Sequence, residues 1–165
     1  MENNIDFQKW SGDGPIVQVK YQTGMENDTM VWSTNFGEEL CMFSSYKVKG
    51  TSISELILLY GGKVYYSRFD LESTVIEGMK RKLVDTQGKE IAALKWTGYG
   101  QYELTVGEET ILIKLKVSHI TAYKNGEKVF EMLLEYHKKR ITYVGSMSKF
   151  TLACIFMSPE MIFAF

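Results

Sequence analysis

From residue 16 to about residue 145 the chain alternates apolar and polar residues with a period of two. That pattern suits half-buried antiparallel strands, because successive side chains on a strand point to opposite faces. Val17, Val19 and Tyr21 fall on one face, with Gln18, Lys20 and Gln22 on the other. Tyr102, Leu104 and Val106 alternate with Gln101, Glu103 and Thr105. Ile111, Ile113, Leu115 and Val117 share a face opposite Lys114 and Lys116. Turn signals separate the runs: Gly61-Gly62, Asp85-Thr86-Gln87-Gly88, Gly107-Glu108-Glu109 and Asn125-Gly126. The last is the strongest hairpin signal, since Asn and Gly both tolerate positive φ. Fourteen glycines, two prolines and 13% aromatics fit strands joined by glycine-built turns.

The predicted strands are 16–22, 30–36, 40–48, 53–60, 63–69, 75–84, 90–97, 100–106, 110–117, 119–124, 128–136 and 140–145, about twelve at the spacing of a barrel or sandwich. Leu71 to Glu77 reads equally as a short helix or a loop. Leu58 to Tyr65, Ala122 to Val129 and, more loosely, Val84 to Ile91 repeat one hairpin pattern; any meander can produce such look-alikes.

The tail from Phe150 to Phe165 differs, with almost no polar face. An element apolar all round must be enclosed. Ser158-Pro159-Glu160 reads as a helix start, with Ser at the N-cap and Pro in the first turn. A closed barrel of about twelve strands is too wide for its own side chains to fill, and a helix could fill it. A last strand, Phe150–Met157, is the alternative. At 165 residues and 45% hydrophobic content the chain is expected to form one domain, 1–165, with a sizeable core.

Nineteen Lys and Arg against twenty Asp and Glu give a net charge of −1, which argues against a nucleic-acid partner. Met1 to Asp6 is polar and acidic, without the features of a secretory signal, and no run reaches the roughly 18–20 apolar residues of a membrane span. Asn27-Asp28-Thr29 fits a glycosylation sequon, read here as coincidence in the absence of such a signal. The expected location is the cytoplasm. Cys41 and Cys154 sit among apolar residues and read as buried thiols, with a single disulfide left open.

Several segments together resemble the tubby-like barrel superfamily, nearest to its LURP-one-related and bacterial tubby C-terminal-domain-like members. They are Tyr46-Lys47-Val48-Lys49-Gly50, Tyr60-Gly61-Gly62-Lys63-Val64-Tyr65, Lys82 to Ala92, Asn125-Gly126-Glu127-Lys128-Val129 and the apolar ending Leu152–Phe165. The resemblance covers about residues 40–165. It implies a closed antiparallel barrel threaded by a hydrophobic helix. The hairpin at 61–62 lacks the family's Asp, and Pro159 falls late in the central segment. For function, the resemblance implies by analogy a lipid-headgroup ligand, as in eukaryotic tubby proteins, and a membrane setting, as in related scramblases.

Two basic clusters are candidate contacts for anionic headgroups: Lys80, Arg81 and Lys82, and Lys138, Lys139 and Arg140. The competing reading is a solvated strand edge guarded by lysine. His119 and His137 lack metal-ligand spacing, so no metal and no cofactor is expected. A Cys154–His137 dyad would need an exposed thiolate in the most apolar segment. Glu38-Glu39 and Glu108-Glu109 are sequence neighbours, which a strand sends to opposite faces. Gly98-Tyr99-Gly100 lacks the third glycine and the helix of a dinucleotide site. Trp10, Trp32, Trp96 and the ten tyrosines read as core and cross-strand packing.

The chain is accordingly expected to be all-β, a closed antiparallel barrel filled by its apolar C-terminal segment. Its expected role is non-enzymatic binding of an unknown ligand, with peripheral association to an anionic membrane surface or phospholipid headgroup. A lipocalin-like carrier of a small apolar ligand and an enzyme with a dispersed site around His119 and His137 are the alternatives. Oligomeric state stays open.

Overall fold

Thirteen strands and one helix follow one another among the residues described by the computed structural model, which are 2–8, 25–26, 31–36, 39–48, 54–69, 79–135 and 138–163. The strands are β1 (Glu2–Gln8), β2 (Met25–Glu26), β3 (Val31–Phe36), β4 (Glu39–Val48), β5 (Ser54–Tyr60), β6 (Lys63–Phe69), β7 (Lys80–Val84), β8 (Glu90–Gly98), β9 (Gln101–Val106), β10 (Glu109–Lys116), β11 (His119–Lys124), β12 (Glu127–Glu135) and β13 (Lys138–Val144). The helix is α1 (Lys149–Phe163). All pairings are antiparallel. The path through the sheet runs β1-β13-β12-β11-β10-β9-β8-β7-β6-β5-β4-β2, with β3 paired to β4 beside it. No ladder joins the two ends of this path among the described residues, so the arrangement is an antiparallel meander with one apolar helix.

The period-two reading placed most strands within a residue or two. The expected strand 16–22 and residues 71–78 lie outside the described residues. β1 was not anticipated. Its sequence, Glu-Asn-Asn-Ile-Asp-Phe-Gln, has low strand propensity, but it is held along its whole length by β13, from Glu2 opposite Val144 to Gln8 opposite Lys138. Pairing overrides propensity here.

The inner face is built by the alternation: Leu56 and Leu58, Leu94, Leu104, Ile111 and Ile113, Ile120 and Ala122, Met132, and Ile141 are all buried and form one cluster with α1. Each such Leu or Ile removed from water contributes about 1.5–3 kcal/mol. Residues 151–159 of α1 are buried without interruption, so the helix shows no solvent face over these turns.

The helix start differs from the expectation. Ser158-Pro159-Glu160 lies inside α1, and Ser148 stands at its beginning, where Leu152 N–H bonds the Ser148 carbonyl at 3.0 Å. Pro159 has no N–H for the Ile155 carbonyl four residues back. The Ser158 hydroxyl donates to that oxygen instead, at 2.6 Å. This satisfies a buried hydroxyl and the carbonyl the proline leaves unpaired. The alternative of a last strand over Phe150–Met157 is thereby replaced by helix.

The first turn of α1 is fixed on two sides. The Phe150 ring lies 5.3 Å from that of Tyr60 and 5.1 Å from that of Tyr65. The Thr151 hydroxyl donates to Glu109 Oε1 at 2.8 Å, while Lys124 Nζ donates to Glu109 Oε2 at 2.9 Å. Partial burial works against ionisation of Glu109, but the bonds from Lys124 and Thr151 outweigh it and hold the carboxyl below its ordinary value.

Candidate functional site

The meander has two ends. The entry end carries the start of α1 and the turns Gly61-Gly62, Asp85–Lys89, Gly107-Glu108 and Asn125-Gly126. The far end carries the turns Tyr99-Gly100 and Val117-Ser118, and the first residues of β7 and β13. Both predicted basic clusters therefore start strands at the same end. Five strands, β8 to β12, separate them in the sheet. The side chains of Lys138, Lys139 and Arg140 lie outside the described residues; their backbone pairs with Gln8, Phe7 and Asp6 of β1.

The other cluster is split by the strand alternation. Arg81 is only 1% exposed, turned to the inner face with Leu83. Its Nε donates to Ser67 Oγ at 2.9 Å and its Nη2 to the Ser67 carbonyl at 3.2 Å. Arg81 thus ties β7 to β6 from inside and adds no charge to the surface. Lys80 and Lys82 are half-buried on the opposite face. There the register gives them basic neighbours the linear sequence did not reveal: Arg68 of β6 stands opposite Lys82, and Lys95 of β8 opposite Lys80. Arg68 and Lys95 are both exposed.

Four cations thus occupy adjacent positions on the outer face of β6, β7 and β8. Directly opposed like charges destabilise an antiparallel pair. Local contacts temper the repulsion, and Glu103 of β9 stands opposite Lys95 on its other side. Glu90 Oε1 lies 3.3 Å from Lys80 Nζ, and the Arg68 guanidinium sits 5.7 Å from the centre of the Tyr66 ring. Arg68 and Lys95 join Lys80 and Lys82 only through the register of β6 with β7 and of β7 with β8, the second shaped by the bulge between Leu83 and Val84.

The remaining sequence candidates have local roles. His119 Nε2 lies 2.8 Å from Glu131 Oε1, and Lys128 Nζ donates to Oε2 of the same carboxylate at 2.7 Å. The Lys128 bond, helped by His119 and opposed by partial burial, keeps Glu131 below the ordinary carboxylate value. His137 lies outside the described residues. Cys154 is a free thiol, which rules out a Cys41–Cys154 disulfide. Burial pushes its pKa far above the usual range, so it stays protonated. Among the described residues no group of three or more His, Cys, Asp or Glu side chains could hold a metal ion, and no helix is long and apolar enough to cross a membrane.

No family model, curated protein or solved structure matches the chain. The functional reading therefore rests on the geometry alone.

Proposed function

We propose that the chain is a non-enzymatic protein that docks on an anionic surface, such as phospholipid headgroups, through Arg68, Lys80, Lys82 and Lys95. The observation that carries this reading is the cross-strand register, which sets Arg68 against Lys82 and Lys80 against Lys95. A layer of phosphates would gain charge-assisted hydrogen bonds from cations gathered on one face.

The scaffold in this proposal is a closed barrel around α1. Its supports are the unbroken burial of residues 151–159, the reach of neighbouring residues Phe150 and Thr151 to β5–β6 on one side and β10 on the other, and the position of β1 beside β3. A barrel filled by its own helix favours a surface function over an enclosed ligand.

The test is retention on vesicles. At low salt the protein binds phosphatidylcholine–phosphatidylserine vesicles and not pure phosphatidylcholine. Changing Lys82→Ala with Lys95→Ala weakens binding about tenfold or more, at roughly 1 kcal/mol for each lysine near the surface. Equal retention by both vesicle types, or an unaltered double variant, removes the proposal.

A further inference from the structure

The described residues include three large hydrophobic side chains that are exposed: Tyr99 at 101%, Val117 at 90% and Leu133 at 38%. All three lie at the far end. Tyr99 is in the β8–β9 turn and Val117 in the β10–β11 turn, and Leu133 stands opposite His119, two residues beyond Val117. The two turns are neighbours. Gln101 is in register with Lys114, and Leu115 N–H donates to the Gly100 carbonyl at 2.8 Å, which continues the ladder to the corner formed by Lys116 and Val117.

Val117 is also strained. Its φ is +54°, while Ser118, its partner in the two-residue turn, has no positive φ. Hairpin turns of this kind ordinarily take glycine at the first position, because a β-branched side chain there crowds the backbone. Its side chain is 90% exposed, so packing among the described residues does not reward valine at that place. A strained residue held with its side chain outward indicates a function outside the fold.

We propose that Tyr99 and Val117 form an apolar wedge that enters the headgroup–acyl boundary of an anionic bilayer, with the lysines beside it resting on the phosphates. The proposal rests on the docking reading above and adds a component that salt does not screen. Between residues 94 and 104 and between 112 and 121 the two hairpins carry Lys95, Lys114 and Lys116 against one carboxylate, Glu103. Among the described residues Lys95 and Lys116 make no ion pair. Tyrosine suits the boundary, with an apolar ring and a polar hydroxyl. Among the described residues the two projecting tips offer less continuous area than the about 800 Å² per partner of a stable protein interface. Tips can sink between lipids, whereas a protein partner would need a matching pair of sockets.

The experiment compares the full chain with Tyr99→Ser, Val117→Gly and their combination on roughly three-to-one phosphatidylcholine–phosphatidylserine vesicles at low and high salt, with thermal melts of each. Val117→Gly is expected to leave the melting temperature unchanged or raise it, so lost binding cannot be lost folding. The parent protein is expected to keep a salt-resistant fraction on the vesicles, and the double variant to lose it, with binding at high salt weakened about tenfold or more. If salt removes all binding of the parent and the tip variants match it at low salt, the wedge is overturned and the basic-patch reading stands. If the parent binds pure phosphatidylcholine equally and the tip variants do not, the tips bind lipid without help from charge, and both the anionic bilayer proposed here and the basic-patch reading are overturned. If the parent binds neither vesicle and instead self-associates through Tyr99 and Val117, both readings are overturned.

Discussion

The β11–β12 turn at the entry end and the β10–β11 turn at the far end are each two residues long, and each begins with a positive φ, 53° at Asn125 and 54° at Val117. Asn125-Gly126 is what such a turn requires chemically. Val117-Ser118 shares that demand at its first position only, and meets it there with a residue poorly made for it. The contrast extends across each end. The entry-end turns from Asp85 to Glu90, Gly107 to Glu109 and Lys124 to Lys128 carry Asp85, Glu90, Glu108, Glu109 and Glu127 against three lysines, whereas the far-end hairpins carry lysine and exposed apolar tips. The entry end also receives α1 and fixes its first turn through Glu109. The entry end anchors the helix, while the far end carries exposed apolar tips beside lysines.

Matched substitutions distinguish what each end contributes to stability. The largest effect is expected from Gly100→Ala. An added Cβ would stand 2.7 Å from the Leu115 carbonyl oxygen, at a φ of +66°. Gly126→Ala meets nothing within 4 Å and bears only the cost of its φ of +81°. Denaturant unfolding should show a loss of about 2–3 kcal/mol for the first and about 1 kcal/mol for the second. Equal losses would mean that the close approach of the two far-end hairpins is not held in solution.

Next comes Glu109→Ala, which leaves the buried Thr151 hydroxyl and Lys124 without their acceptor. The expected loss is about 1–2 kcal/mol, against less than about 0.5 kcal/mol for its exposed neighbour in Glu108→Ala. If the two variants unfold alike, Glu109 does not anchor the helix.

The smallest effect is that of acid. Glu109 and Glu131 both ionise below the ordinary value of 4.5 when folded. A lowered folded pKa stabilises above the unfolded value, and that stability is lost as pH falls through the folded one. Melting temperature should therefore be flat near neutrality and decline below about pH 4.5, and Glu109→Gln should reduce the decline.

The sequence made the entry end readable and concealed the far end. Gly61-Gly62, Gly88 and Asn125-Gly126 announce turns because their backbone needs residues that tolerate positive φ, and the three look-alike hairpins all map to that end. Val117 offers no such sign, since valine ordinarily marks a strand, and the expected strand 110–117 accordingly ran through it. Gly98-Tyr99-Gly100 reads in sequence only as an incomplete nucleotide motif. Basic residues at 80–82 were visible as a run, but whether each faces in or out depends on alternation, and their partners Arg68 and Lys95 depend on register. Arg81 shows the limit: a charged residue between two lysines gives no linear hint that it turns inward to Ser67. The apolar tail demands an enclosure on composition alone, yet Ser158-Pro159 reads as a helix start because the compensation of the proline by Ser158 is a contact within the folded helix.

That compensation ties two positions together. With proline at 159, the hydroxyl at 158 is the local donor to the Ile155 oxygen, so a change to alanine there would be harmful on its own. Once residue 159 regained an N–H, the serine could be lost at little cost. Across descendants of this chain the two sites should therefore vary as a linked pair, with the proline-plus-alanine combination the rarest of the four.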